Sequence, residues 1–286
     1  MNDVLGSILD FEDYGALLAL VHNSLIAGAL LGLVGGLVGV FVISRDMAFA
    51  VHGISELSFA GASVALLLGA DVVTGSLVGS LAAALLIGAL GARARDRNSI
   101  IAVLMPFGLG LGILALALYQ GRAANKFGLL TGQIVSVDDP HLLSLAIVCA
   151  VVVVGLLVVW RPLSFASVDA EVAAARGVPV AGLSIVFMVL LGLAVAVSVQ
   201  IVGALLVLSL LVTPAAAAMR VSASPVLTPL LSVAFALTAA VGGILLAIGG
   251  GLPISPYVTT ISFLIYVLCR ALGARRARRG REAVAG

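Results

Sequence analysis

Long apolar runs separated by short polar clusters make up most of the chain. A run of about 20 apolar residues is long enough to cross the hydrocarbon core of a bilayer as a helix. Nine such runs are read, at 17–43, 47–69, 72–91, 100–119, 141–160, 179–198, 200–219, 226–248 and 255–272. The pattern predicts an all-α polytopic membrane bundle of eight or nine transmembrane helices. The least marked boundary separates the sixth and seventh runs, where only Val199 and Gln200 intervene; merging these two runs gives eight. Segment 127–135 is too short to span and is read as a re-entrant or surface piece.

Composition supports a membrane bundle. Of 286 residues, 62% are hydrophobic and 10% charged, against about 45–50% and about 25% in an ordinary soluble domain. A net charge of +2 excludes a disordered or nucleic-acid-binding chain. Cys149 and Cys269 fall inside apolar runs and are read as small buried hydrophobes. The first 16 residues carry Asp3, Asp10, Glu12 and Asp13 and no basic residue. That is the wrong sign for a signal-peptide n-region, so 1–16 is read as an acidic external segment before a membrane domain at 17–272.

Basic residues set the orientation, because they concentrate in cytoplasmic loops. With nine spans, thirteen of the fifteen fall on one side: Arg45, Arg93, Arg95, Arg97, Arg161, Arg176, Arg220 and Arg270, then Arg275, Arg276, Arg278, Arg279 and Arg281 in the tail. Arg122 and Lys126 fall opposite, as do the acidic N-terminus, Asp71, Asp138 and Asp139. The N-terminus is therefore expected outside and the C-terminus inside. The basic tail, 273–286, is expected to be cytoplasmic and to contact anionic lipid.

Glycines at four-residue spacing (Gly28, Gly32 and Gly36; Gly35 and Gly39; Gly75 and Gly79; Gly108 and Gly112) mark helix faces that allow close backbone approach. They fit internal packing or, alternatively, a subunit interface. Pro214, inside the seventh run, is expected to kink its helix.

An ionisable residue at membrane depth is a functional candidate by default. The second run holds two, His52 and Glu56, at i, i+4 spacing on one helical face. They lie about 8 and about 14 Å beyond Met47, which places Glu56 near the midplane. Ser55 lies beside them. Three roles are open: a structural hydrogen-bonded pair, a proton relay, or metal ligands on a translocation path. Imidazole with carboxylate suits Zn²⁺, Mn²⁺ or Fe²⁺. Two ligands on one helix hold such an ion poorly, whereas a homodimer with this helix at its axis supplies four. His22 and His141, near the outer ends of the first and fifth runs, are read as solvated interfacial histidines, with metal entry as the alternative. A phosphate-binding Gly-Lys-Ser/Thr sequence is excluded, since the single lysine lies in Asn125-Lys126-Phe127. Neither a Gly-x-Ser-x-Gly elbow nor a His-Glu-x-x-His motif occurs, so enzymatic chemistry has no support.

Two stretches carry a resemblance. Met47-Ala48-Phe49, Ser55 and Gly61 resemble the second-helix signature of permeases in the zinc/manganese/iron family of ABC importers: Met-Ala-aromatic, Gly-Asp-x-x-Ser-His, then Gly. Val51 stands at the Gly position, His52 at the Asp position and Glu56 at the His position. The two metal-facing residue types are thus present in reversed order, still four apart. Asp169-Ala170-Glu171-Val172-Ala173, followed by Arg176-Gly177-Val178, is similar to the family's cytoplasmic segment. Gln200 to Leu206, with Pro214-Ala215-Ala216, is similar to its core helices.

The resemblance implies a permease subunit in the cell (inner) membrane. It would pair with a second copy or a paralogue, a cytoplasmic ABC ATPase and an extracellular metal-binding protein. It implies His52 and Glu56 as pathway ligands, and ATPase coupling through Asp169, Glu171, Arg176 and Gly177 within 161–178. No cofactor is expected to be permanently bound, the metal being cargo. Alternatives are a permease for a metal chelate or siderophore, which calls for a wide aromatic-lined cavity that 5% aromatics do not favour, and a gradient-driven cation/proton exchanger. A copurifying ATPase separates the exchanger from the importer.

Overall fold

The computed structural model describes residues 21–90, 94–121, 137–204, 206–248 and 254–285, the side chains of 94–96 and 275–285 aside. The expectations for 1–16 and 127–135, for Arg93, Arg95, Arg122 and Lys126, and for the side chains of the tail lie outside those limits. Eleven helices are seen among the described residues: α1 His22–Ser44, α2 Ala48–Leu68, α3 Val72–Leu90, α4 Ala94–Leu118, α5 Asp139–Val168, α6 Ala170–Ala175, α7 Val180–Val202, α8 Val207–Leu211, α9 Thr213–Val221, α10 Leu227–Ile248 and α11 Ile254–Ala285. Eight are long and apolar enough to span: α1 to α5, α7, α10, and α11 up to Ala274.

The expected continuous span at 200–219 is not formed. Val199 and Gln200 continue α7, which ends at Gly203 in the left-handed region (φ 82°). The rest is the short apolar stretch Val207–Val221, divided into α8 and α9 at Val212. Pro214 does not kink a continuous helix. It lies in the first turn of α9, where its missing N–H has no helical partner to lose. α5 is also longer than expected, running to Val168 with Arg161 and Pro162 inside it.

The α8–α9 stretch nevertheless carries the chain back across the bundle. Near the end of α7, Gln200 Nε2 donates to the Val73 carbonyl at the start of α3, at 3.4 Å. α8 and α9 then run beside α1, with Leu210 against Gly35 and Ala215 against Gly39, and Arg220 ends against Gly273 of α11. At that end Ser44 of α1, Ser167 of α5 and Ser222 to Pro225 line one cavity of about 380 Å³. The start of α1 and the end of α11 therefore lie at opposite ends of the bundle. Arg45, Arg97, Arg220 and Arg270 gather at the end holding Ser44; Asp71, Asp138 and Asp139 mark the other.

Arg45 fastens the basic end. Its Nη2 donates to Ser184 Oγ at 2.6 Å and its guanidinium lies 5.7 Å from the centre of the Phe187 ring, while Arg97 Nη2 donates to its carbonyl at 3.4 Å. Burial and the neighbouring Arg97 charge lower its pKa. Below it Phe41 stands edge-on to Trp160, centroids 4.8 Å apart.

The spaced glycines serve packing within the chain. Gly28, Gly32 and Gly36 seat α1 on Ile244, Leu237 and Val233 of α10; a Cβ on Gly36 would come within 2.5 Å of the Val233 Cα. Gly75 and Gly79 bring α3 onto Gly61 and Leu57 of α2, and Gly108 and Gly112 bring α4 onto the backbone at Glu56 and onto Phe59. Cys149 and Cys269 are buried free thiols, as expected.

Candidate functional site

α2 lies between α3 and α4, which the glycines bring close, and it also meets α7 and α8. Its helical periodicity places His52 and Glu56 one turn apart, with His52 Nε2 3.5 Å from Glu56 Oε1. The Glu56 side chain is 6% exposed and that of His52 28%. The Nδ1 atom of His52 is buried and has no hydrogen-bond partner. A buried polar atom without a partner costs free energy, so this ring holds binding capacity in reserve. Among the described residues no group of three His, Cys, Asp or Glu side chains could hold a metal ion. The expected pair is thus brought together, and as a pair it fills only part of a coordination sphere.

Ser55, fully buried, donates to the Ala204 carbonyl at 3.0 Å. The break after α7 is therefore attached to α2 one residue from Glu56. Ser58 and Ser76, also fully buried, are not marked by the sequence, because isolated hydroxyls in apolar runs carry no periodic signal. Their oxygens lie 2.7 Å apart, and Ser76 donates to the Ala196 carbonyl at 3.3 Å.

The Asp169–Gly177 segment forms α6 with both ends closed. Asp169 Oδ1 accepts from the N–H groups of Glu171 and Val172 at 3.0 and 2.9 Å, which satisfies two of the first-turn donors. Gly177 takes φ 83°, and the Val178 and Gly177 N–H groups donate to the Ala173 and Ala174 carbonyls, the Schellman closure that glycine favours. Ala173 is buried with Ala166 and Leu183, while Glu171 and Arg176 are exposed at the basic end.

His141, read as a solvated histidine on its own, has a partner. Its ring Nδ1 is hydrogen-bonded to Asp138, which also caps α5 through the His141 N–H. Those bonds hold the Asp138 carboxyl below its usual range. Asp71 caps α3 in the same way, accepting from Thr74 N–H at 2.8 Å and Thr74 Oγ1 at 2.6 Å, which lowers its pKa. A lowered carboxylate pKa contributes stability above the unfolded value and loses it as pH falls through the folded one. Asp71→Ala is therefore expected to cost about 1 kcal/mol at neutral pH. Thermal unfolding in detergent should show this deficit closing once acid has protonated Asp71 in the wild type.

The model of the ABC 3 transport family matches residues 18–273. The chain belongs to that family. As an ABC 3 permease it is the multi-pass membrane subunit of an ABC transporter and not the ATPase. It is 28% identical over 225 residues to the manganese transport system membrane protein MntC of Halalkalibacterium halodurans, which covers 78% of this chain and 77% of that one. It is 24% identical over 250 residues to the high-affinity zinc uptake system membrane protein ZnuB of Haemophilus influenzae, covering 87% and 96%. Among solved structures, a chain of PsaBC from Streptococcus pneumoniae, in complex with Fab, matches with a TM-score of 0.81 at 27% identity over 91% of this chain and 95% of that one.

Proposed function

We propose that this ABC 3 permease imports a divalent transition metal ion, manganese, zinc or iron, past His52 and Glu56. The observation that carries the ligand assignment is the buried Glu56 carboxylate 3.5 Å from an imidazole whose other nitrogen is buried and unpartnered. Two such ligands leave a four-coordinate ion half bound. A second copy or a paralogue, with its α2 at a shared axis, completes the set. The basic end faces the cytoplasm by the positive-inside rule, so the N-terminus is outside, the C-terminus inside, and the 273–286 tail lies against lipid. There a cytoplasmic ABC ATPase docks on Asp169, Glu171, Arg176 and Gly177, and its closure rocks the bundle. An extracellular binding protein delivers metal to the acidic end. No cofactor is resident. Both ligands bind metal only when deprotonated, so metal affinity falls on acidification.

The test is cellular manganese, zinc and iron, measured by mass spectrometry in a deletion strain grown under chelator. The wild-type chain is expected to restore one metal, while His52→Ala and Glu56→Ala, present at equal membrane levels, do not. Restoration of none of the three by the wild type refutes the cargo. For the docking segment, Asp169→Ala removes the α6 cap, a change of about 1 kcal/mol, and Gly177→Val strains φ 83°. Combined, they should reduce ATPase copurification; full recovery of the ATPase would count against this assignment.

A further inference from the structure

Three buried hydroxyls join the helix carrying the candidate ligands to the helix that follows the docking segment. Ser55 donates to the Ala204 carbonyl, just past the end of α7. One turn on, Ser58 is hydrogen-bonded to Ser76 of α3, and Ser76 donates to the Ala196 carbonyl within α7. All three serines are 0% exposed. Ser55 and Ser58, which flank Glu56 in sequence, thus tie α2 directly to the residue just past α7 and, through Ser76, to the interior of α7. At its other end α7 begins at Val180, three residues after Gly177, and its Leu183 packs with Ala173 of α6 and Ala166 of α5. One continuous helix of 23 residues therefore runs from the exposed α6 to the Glu56 neighbourhood.

We infer that Ser55, Ser58 and Ser76 are positioning residues that form a joint, through which movement of α6 and α7 shifts Glu56 on α2. This rests on the importer reading above. The physical basis is that a regular helix moves nearly as a rigid rod, while apolar contact between two helices carries no directional bond. Hydroxyl–carbonyl bonds between helices, in surroundings that exclude water, fix the register that apolar contact leaves open. Gly203 at φ 82° allows the chain to turn at the end of the rod and present the Ala204 carbonyl to Ser55. The Ala196 carbonyl lies inside α7, so its helical hydrogen bond survives removal of Ser76. Loss of the Ser58–Ser76 link should therefore uncouple the helices rather than unfold them, while loss of Ser55 also removes the donor to the Ala204 carbonyl.

The experiment uses the full permease assembled with its ATPase and binding protein in liposomes. Mn²⁺ and Zn²⁺ are supplied separately, and metal uptake and phosphate release are measured on the same sample. For the Ser55→Ala/Ser58→Ala double variant, ATP hydrolysis and the KM for metal should stay within about twofold of wild type. Metal moved per ATP should fall at least about fivefold, the lower end of common coupling effects. Ser55→Thr/Ser58→Thr, which keeps both hydroxyls, should recover the ratio. A purely structural role would lower hydrolysis and uptake together and leave the ratio unchanged, which overturns the joint. If the alanine double variant does not fold, the near-isosteric Ser55→Cys, a weaker donor, takes its place: a fall in the ratio supports the joint and a wild-type ratio overturns it. Glu56→Gln separates the metal pathway from the joint. If it imports normally, the pathway reading fails and the joint with it. If it fails while the serine variants keep the wild-type ratio, the pathway stands and the joint alone is overturned.

Discussion

Glu56→Gln is expected to reduce metal uptake more than tenfold, about 1.4 kcal/mol or more, at an unchanged membrane level. The substitution keeps the length of the side chain and its capacity to hydrogen-bond, and it removes only the negative charge. A structural pair would tolerate that change, because a neutral amide still offers an oxygen and an N–H₂ group to His52. A metal site would not, since a neutral amide oxygen binds a divalent ion more weakly than a carboxylate. His52→Ala should show a loss of the same order, because its imidazole, 3.5 Å away, is the other ligand offered by this helix. Radioactive or mass-spectrometric uptake, normalised to immunoblotted membrane protein, decides the point. Wild-type uptake by Glu56→Gln removes Glu56 from the pathway.

The second large effect concerns the fold that holds α2 in place. Gly61→Val is expected to lower both the melting temperature in detergent and the amount of protein in the membrane. A Cβ on Gly61 would overlap the Gly75 carbonyl oxygen and come within 3.1 Å of the Gly79 Cα. These are backbone atoms, so α2 and α3 must separate to admit the side chain. Overpacking of this kind costs about 1–3 kcal/mol; the expectation here is at least about 2 kcal/mol. Gly110→Val is the control: Gly110 is exposed, and a Cβ there meets nothing within 4 Å. A melting temperature for Gly61→Val equal to that of the control would show that the helices do not depend on this contact. The two effects separate by readout, since Glu56→Gln should spare the protein level and Gly61→Val should not.

Much of the architecture was legible in the chain. Hydropathy located all eight long helices, and glycines four apart marked faces of close approach, though spacing could not distinguish a neighbour in the same chain from a second subunit. The seventh run differs from its expected single span for a physical reason. Hydropathy counts apolar residues, and Val199, Gln200 and the residues after them satisfy it equally well as one helix or two. The boundary is set by Gly203, whose left-handed backbone ends α7 three residues later than the polar interruption suggested. His141 shows a different limit. Asp138 lies only three residues before it, but whether the two side chains meet depends on α5 starting where it does.

By itself the sequence determined where the long helices lie, the gathering of arginines at one end, and the placement of His52 and Glu56 on one helical face. These follow from transfer energies and helix geometry, which act over a few residues at a time. The tertiary structure decided that Ser55 meets Ala204, 149 residues away, and that Ser76 meets Ala196, 120 residues away. It also decided that Gly108 brings α4 against the backbone at Glu56. Such contacts depend on where distant backbones come to rest against one another, and a backbone carbonyl looks the same at every position of the sequence until the packing selects it.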